Sequence, residues 1–396
     1  MPACLKRCGY CDFLSFAVSP APHSVLHSAT SAISGSVSRS DLSIDGFSLA
    51  EYTNALIREI ENRGKSYREK LAKENIKSCK TVFFGGGTPS LLPPDGIKRI
   101  IDAIANVFTL EADAEITLEA NPDTISGDYL KQIKAAGVNR LSLGVQSFNQ
   151  EMLDILDRTH NPQNVFTALD FANNLGFKTS IDLIYGIPNM TKAIWEDTLN
   201  AAINLDLKHI SLYALTLEKN VPLFQAVRKG KYTLIDDAEV ATQYETADAF
   251  LSKAGFSWYE ISSFSRGPDF QCEHNLGYWR GGSWLGIGAG AASSVGNLRE
   301  TNARRLADYI AGKPPKKSTL NPEEIEFEKK MLFTRTSGGL PIANASKQII
   351  LREALDAKIV DMLLSENLID SKKAEEGLLV LTLKGRLLHN EIVKLL

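Results

Sequence analysis

The chain has 396 residues, 44% hydrophobic and 23% charged, an ordinary soluble composition sufficient for two or three domains of about 150 residues each. Its 44 Lys and Arg against 47 Asp and Glu give a net charge of -3, so no global basic field draws it to nucleic acid or to a membrane surface. Five cysteines exclude a disulfide scaffold, and no apolar run approaches the roughly 20 residues that span a bilayer as a helix.

The chain opens almost directly on Cys4, Cys8 and Cys11, spaced C-x3-C-x2-C. A loop with this spacing turns three thiolates toward one centre, a donor set suited to an iron–sulfur cluster, zinc or copper(I). Structural zinc asks for a fourth protein ligand, and the thiols left for it are the distant Cys79 and Cys272. A [4Fe-4S] cluster on three cysteines leaves one iron free to take a small ligand. Lys6 and Arg7 within the loop are either tuning charges for the thiols or a solvated basic turn. No basic-then-apolar leader precedes the loop. Residues 17–47 follow with nine serines and few large apolar residues, which predicts a flexible insertion.

Ser48 and Glu51 form a capping box ahead of Leu49, Tyr52, Leu56, Ile57 and Ile60 at helical spacing. Short apolar runs then alternate with helical patterns. Strands are expected at Thr81–Phe84, Ile116–Leu118, Arg140–Val145, Thr179–Tyr185, His209–Ala214 and Ser257–Ile261. Helices are expected at Gly96–Phe108, Asp128–Ala136, Pro162–Leu175 and Ile194–Leu205. Such βα repetition implies a parallel sheet, open or closed, with ligands at the C-terminal strand ends. Past residue 300 the pattern changes. Residues 301–321, with Gly312–Lys317, read as a linker. Residues 322–396 read as a small α+β, winged-helix-like domain, with a helix from Pro322, another near Asp356–Leu364, a strand near Leu378–Thr382 and a last helix to Leu396. Residues 320–396 hold 11 basic and 12 acidic residues, which favours a packing role over DNA binding.

Polar residues gather where strands end. Gly85-Gly86-Gly87-Thr88-Pro89-Ser90 follows the first strand. It lacks the GK[ST] or GxGxxG of a phosphate cradle, and suits a zwitterionic amino acid whose polar groups meet bare backbone. Glu119, Gln146 and Asp182 stand at or near later strand ends, and Arg158 lies twelve residues beyond Gln146. Buried carboxylates need partners, either a ligand or a structural ion pair such as Glu119–Arg158. His274-Asn275-Leu276-Gly277-Tyr278-Trp279 sets one of six histidines beside two aromatics. From spacing alone this reads as a loop histidine among core aromatics. The small-residue run Leu285–Ser293 fits either a flat ligand or tight packing.

Taken together, these residues resemble the radical S-adenosylmethionine (SAM) superfamily, in the branch that holds oxygen-independent coproporphyrinogen III oxidases and HemW-type haem chaperones. The cysteine loop and Gly85–Ser90 carry the likeness, which spans the chain apart from 17–47. The resemblance implies a partial (β/α)6 barrel over residues 1–300, followed by the family's C-terminal domain. It implies a [4Fe-4S] cluster on Cys4, Cys8 and Cys11, with SAM chelating the open iron. Gly86, Gly87 and Thr88 would face the SAM methionine, Tyr10 its adenine, and Glu119, Gln146, Arg158 and Asp182 match other SAM-contacting positions. Phe13 stands where the oxidases carry a further cysteine, and His274, Asn275, Tyr278 and Trp279 match the HNxxYW haem-binding motif. Both features resemble the chaperones more than the oxidases, whose SAM-dependent oxidative decarboxylation is the alternative. Implied partners are haem or porphyrin, haem-accepting proteins and an electron donor such as flavodoxin or ferredoxin, with no nucleic acid and peripheral membrane contact left open. Because Met1–Ala3 alone precede Cys4, the family's first strand is expected to be missing. The compartment is expected to be cytoplasmic, or an organelle matrix if a transit segment lies upstream.

Overall fold

A computed structural model describes residues 1–20, 38–342 and 355–396. Its centre is a seven-stranded sheet of β1 (Cys79–Phe84), β2 (Leu110–Ala120), β3 (Arg140–Gln146), β4 (Lys178–Tyr185), β5 (His209–Ala214), β6 (Ser257–Glu260) and β7 (Ser263–Ser265). Strands β1 to β5 pair side by side in parallel. The expected sixth strand, Ser257–Ile261, is displaced by one place. It turns directly into β7, and β7 inserts antiparallel between β5 and β6.

Alternation along each strand sorts the side chains onto two faces. Val82, Phe84, Ile116, Leu118, Leu141, Leu143, Ile181, Leu183, Ile210 and Leu212 are buried on the outer face. They are covered by α1 (Leu49–Lys73), α2 (Pro94–Val107), α3 (Gly127–Ala135), α4 (Gln150–Ile155), α5 (Pro162–Asn174), α6 (Lys192–Ile203), α7 (Pro222–Arg228) and α8 (Asp237–Lys253). The capping box starts α1 as expected: the Ser48 hydroxyl accepts from Glu51 N at 3.1 Å, and Ser48 N donates to the Glu51 carboxylate at 2.7 Å. Helix α8 was not anticipated, because its apolar stripe is broken by polar residues such as Gln243.

Strand β1 is the terminal strand, and among the described residues nothing pairs with its outer edge. Residues Ala3–Cys4 instead pair with Phe16–Ala17, and the Met1 amine donates to Gly85 O at 2.7 Å.

Two domain expectations change. Of the 17–47 segment, residues 17–20 and 38–47 are built into the fold. Ser19–Pro20, Leu42–Ile44 and Phe47–Ser48 form a small antiparallel sheet, and Val18, Leu42 and Ile44 are buried against α1 and its neighbours. Residues 21–37 lie outside the described residues. The 301–321 stretch is packed structure rather than a linker. Leu306 and Tyr309 join the main core, and Lys316–Thr319 pairs with Leu298–Thr301. A buried polar knot holds this region to α1: Arg63 bonds Glu300 at 2.6 Å, and Tyr309 donates to Glu59 at 2.6 Å.

The C-terminal unit begins with the helix Pro322–Phe333 and has its own core around Leu340, Leu363, Leu379 and Ile392. Leu340–Pro341 pairs with Leu378–Leu379. The expected last helix breaks at Leu388 into Leu383–Leu387 and His389–Leu395. Arg386 anchors this unit to the barrel, bonding Asp248 at 2.7 Å and lying 4.6 Å over the Trp258 ring.

Candidate functional site

The cysteine loop crosses the C-terminal strand ends and is tied down by backbone. Gly9 N donates to Leu156 O at 3.2 Å, and Leu223 N donates to Gly9 O at 2.8 Å. Cys4, Cys8 and Cys11 are all half-buried and unbridged. Among the described residues no three His, Cys, Asp or Glu side chains gather closely enough to hold a single metal ion. The three thiols do lie within each other's electrostatic reach: Cys8 raises the pKa of both Cys4 and Cys11, behind burial as the main cause. Three thiolates are the donor chemistry that iron–sulfur clusters take, whereas structural zinc asks for a fourth protein ligand. Cys79 and Cys272 sit at the opposite strand ends, against Thr81 O and the Glu115 carboxylate, and supply no fourth ligand to the loop. Lys6 pairs with the exposed Asp157, so its role is that of a solvated turn.

The glycine turn presses against this loop. Gly87 N donates to Met1 O and Thr88 N to Ala3 O, each at 2.6 Å. A Cβ on Gly87 would lie 2.6 Å from Ala3 O and 3.1 Å from Cys4 Sγ, so only glycine permits that approach. Gly86 adopts φ +114° and donates its N–H to Glu119 at 3.0 Å. The Thr88 hydroxyl lies 3.6 Å from Cys4 Sγ.

Arg158 does not pair with Glu119. Its guanidinium donates to Asn121 Oδ1 at 2.8 Å and Gly144 O at 2.7 Å, and reaches Cys8 Sγ at 3.5 Å. Tyr10 lies beside it, its hydroxyl pKa raised chiefly by burial. Gln146 carries a left-handed φ of 66° at the irregularity where β3 loses register with β4. Non-glycine strain of this kind costs on the order of 1–3 kcal/mol and concentrates at functional sites. Burial, with Asp182 adding, pushes Glu119 up to about 7. Burial also lifts Asp182 to about 6, against the opposing pull of Ser211, Arg140 and Ser142.

The inner face of the sheet was not legible as a unit from the sequence. It carries Glu115, Thr117 and Glu119 on β2, Arg140 and Ser142 on β3, Ser180 and Asp182 on β4, and His209 and Ser211 on β5, matched by register. The alternation was visible in each strand, but only assembly shows that the polar halves face each other.

The motif residues close this interior beside β1. They form the short helix α9 (Glu273–Trp279), whose first N–H groups are held by Glu115: His274 N donates at 3.1 Å and Glu273 N at 3.3 Å. His274 stacks on Phe83 at 4.8 Å. Its Nδ1 meets the Thr81 hydroxyl and its Nε2 the Tyr278 hydroxyl, each at 2.8 Å. Burial lowers its pKa to about 4, so the ring is neutral at pH 7. Tyr278 packs edge-on against Trp284 at 4.8 Å. His274 and Tyr278 line a cavity of about 1570 Å³ that runs along β1. Trp279 departs from expectation. The helix turns it from that cavity, and the Arg335 guanidinium lies 4.8 Å over its ring. The Leu285–Ser293 run packs tightly: Gly288 N donates to Glu59 and Ala289 N to Tyr52, both on α1.

The model of the radical SAM superfamily matches residues 1–202. The chain belongs to that superfamily. It also shares a family with proteins named heme chaperone HemW. That of Mycobacterium tuberculosis (strain ATCC 25618 / H37Rv) is 34% identical, aligned across 100% of this chain and 93% of its own length. That of Bacillus subtilis (strain 168) is 32% identical, across 99% and 96%. Among solved structures, the radical SAM enzyme coproporphyrinogen III oxidase (HemN) of Escherichia coli superposes with a TM-score of 0.76 at 24% identity, covering 100% of this chain and 88% of that one. That likeness shows the fold. No helix among the described residues is long and apolar enough to cross a membrane.

Proposed function

We propose that this protein binds haem and passes it to acceptor haemoproteins, holding a [4Fe-4S] cluster and SAM at the mouth of the barrel. The observation that carries the reading is the placement of His274 and Tyr278 on a helix that lines the barrel interior, in a chain aligned end to end with HemW relatives. Cys4, Cys8 and Cys11 would hold the cluster, with Gly86, Gly87 and Thr88 beside it as the backbone cradle for the SAM methionine. Bound there and reduced by a donor such as flavodoxin or ferredoxin, a cluster would be able to supply one electron to the SAM sulfonium.

The chain's own residues position rather than react. Glu119 holds the Gly86 N–H and so fixes the glycine turn. Arg158 locks Asn121, Gly144 O and Cys8 together, and such fixed geometry is what radical chemistry asks of a protein. Phe13, in place of a further cysteine, is 67% exposed and offers no ligand atom.

His274 is engaged at both ring nitrogens in this structure. Haem iron therefore takes a nitrogen only after the Thr81 or Tyr278 hydroxyl lets go. Titration of the cluster-reconstituted protein with haem, followed by absorbance, tests the reading. His274→Ala should lose at least about tenfold in affinity, the scale of about 1.4 kcal/mol. Equal affinity in the variant and the parent refutes the motif assignment.

A further inference from the structure

Beneath the Glu119 and Asp182 layer the inner face encloses a second, smaller cavity of about 160 Å³, whose lining includes Arg140, Ser142, Asp182, His209, Ser211 and His274. Two of its residues each carry one buried nitrogen with no hydrogen-bond partner among the described residues. Arg140 is 2% exposed, yet among the described residues its Nη2 has no hydrogen-bond partner, and its charge faces Glu115, 3.8 Å from Nε, and Asp182. His209, also 2% exposed, bonds Tyr259 through Nε2 at 2.6 Å and leaves Nδ1 unsatisfied. A guanidinium stays charged at any physiological pH, and a buried unpaired donor costs about 1–3 kcal/mol, more when charged. A fold that keeps such groups around a cavity is arranged for an acceptor that arrives from outside.

The geometry points to this cavity as the seat of a carboxylate arm of the porphyrin ligand, with the Arg140 Nη2 as its cationic anchor. The Ser142 and Ser211 hydroxyls are already turned to Asp182. The volume suits a short acid side chain and is far too small for a macrocycle. Burial raises Glu119 to about 7 and Asp182 to about 6, so their repulsion of an incoming carboxylate falls away below about pH 6, whereas at pH 7 Asp182 is mainly ionised. SAM brings a carboxylate too. The cavity shares Glu119 and Asp182 with the expected SAM contacts but not Gly86, Gly87 or Thr88, and it is lined by His274, Asn275 and Tyr278 of the haem motif, which favours the porphyrin as source. Phe83, Glu119, His274 and Tyr278 also line the larger cavity along β1, so a ligand seated at His274 lies next to this alcove.

The inference rests on the haem reading, and the test separates the two. Full-length, cluster-reconstituted protein is titrated by absorbance with haem and with its dimethyl ester in the same cosolvent. The parent should bind the diacid about tenfold more tightly than the diester, and Arg140→Gln should erase that preference by weakening the diacid alone. If Arg140→Gln misfolds, Arg140→Lys, which keeps the charge without the Nη2 donor, should weaken the diacid preference while leaving diester binding unchanged. Equal binding of diacid and diester by the parent overturns this inference and leaves haem binding standing, whereas binding of neither ligand overturns both. A fall in SAM affinity in Arg140→Gln, with the diacid preference intact, assigns the carboxylate to SAM and also overturns it.

Discussion

The two faces of the seven-stranded sheet are made by the same strands and obey opposite rules. The outer face is a run of Val, Ile, Leu and Phe packed under eight helices. The inner face holds two glutamates, an aspartate, an arginine, a histidine and hydroxyls, several of them unsatisfied. Burying apolar area stabilises by about 25 cal/mol per Å², whereas buried polar groups at best offset their own desolvation. Stability therefore belongs to one face and the buried polar groups to the other.

The largest expected effect is on the outer face. Leu143 is fully buried there, and Leu143→Ala should cost about 3 kcal/mol by denaturant titration. A loss under about 1 kcal/mol would show that the helical layer is not what holds the sheet.

Next is the pH dependence set by the inner face. The folded-state pKa values of Glu119 and Asp182 are raised, to about 7 and about 6. The folded chain thus binds these protons more tightly than the unfolded one. Their stabilising contribution is complete below the unfolded values and is lost as pH rises through about 6 to 7. Glu119→Gln removes the Glu119 share, so the variant should gain on the parent by on the order of a few kcal/mol at pH 8 relative to pH 4. The Met1 amine and Asp182 are the charged groups that act on Glu119, and a matching shift in Asp182→Asn would show their coupling. Parallel pH profiles for Glu119→Gln and parent would contradict the assignment.

The smallest effect sharpens the contrast. Thr117 is fully buried with an unsatisfied hydroxyl, so the near-isosteric Thr117→Val should be neutral or stabilising by up to about 1 kcal/mol. Clear destabilisation would mean that the inner face contributes to folding after all.

Most of the barrel was legible in the sequence, because a strand buried on its outer face and a helix with one apolar stripe leave distinct periods. The capping box at Ser48 and the strand His209–Ala214 were found at their observed bounds. What escaped was non-local. The Ser263–Ser265 return strand has no apolar signature, since its partners on both sides are supplied by the sheet. The packed 301–321 region looked like a linker because its Lys and Pro residues conceal Leu306 and Tyr309. Among site residues, Glu115, Arg140 and His209 were passed over, being too far apart in sequence to suggest one cavity. Trp279 was grouped with His274 by motif alone, although five positions on a helix place the two on different faces.

That separation has a mechanical outcome. Helix α9 has only seven residues and is gripped by Glu115 and Thr81 on one flank and by Arg335 across Trp279 on the other. One short helix thus joins the C-terminal unit, through Arg335, to the imidazole inside the barrel, so the two share a single mechanical support.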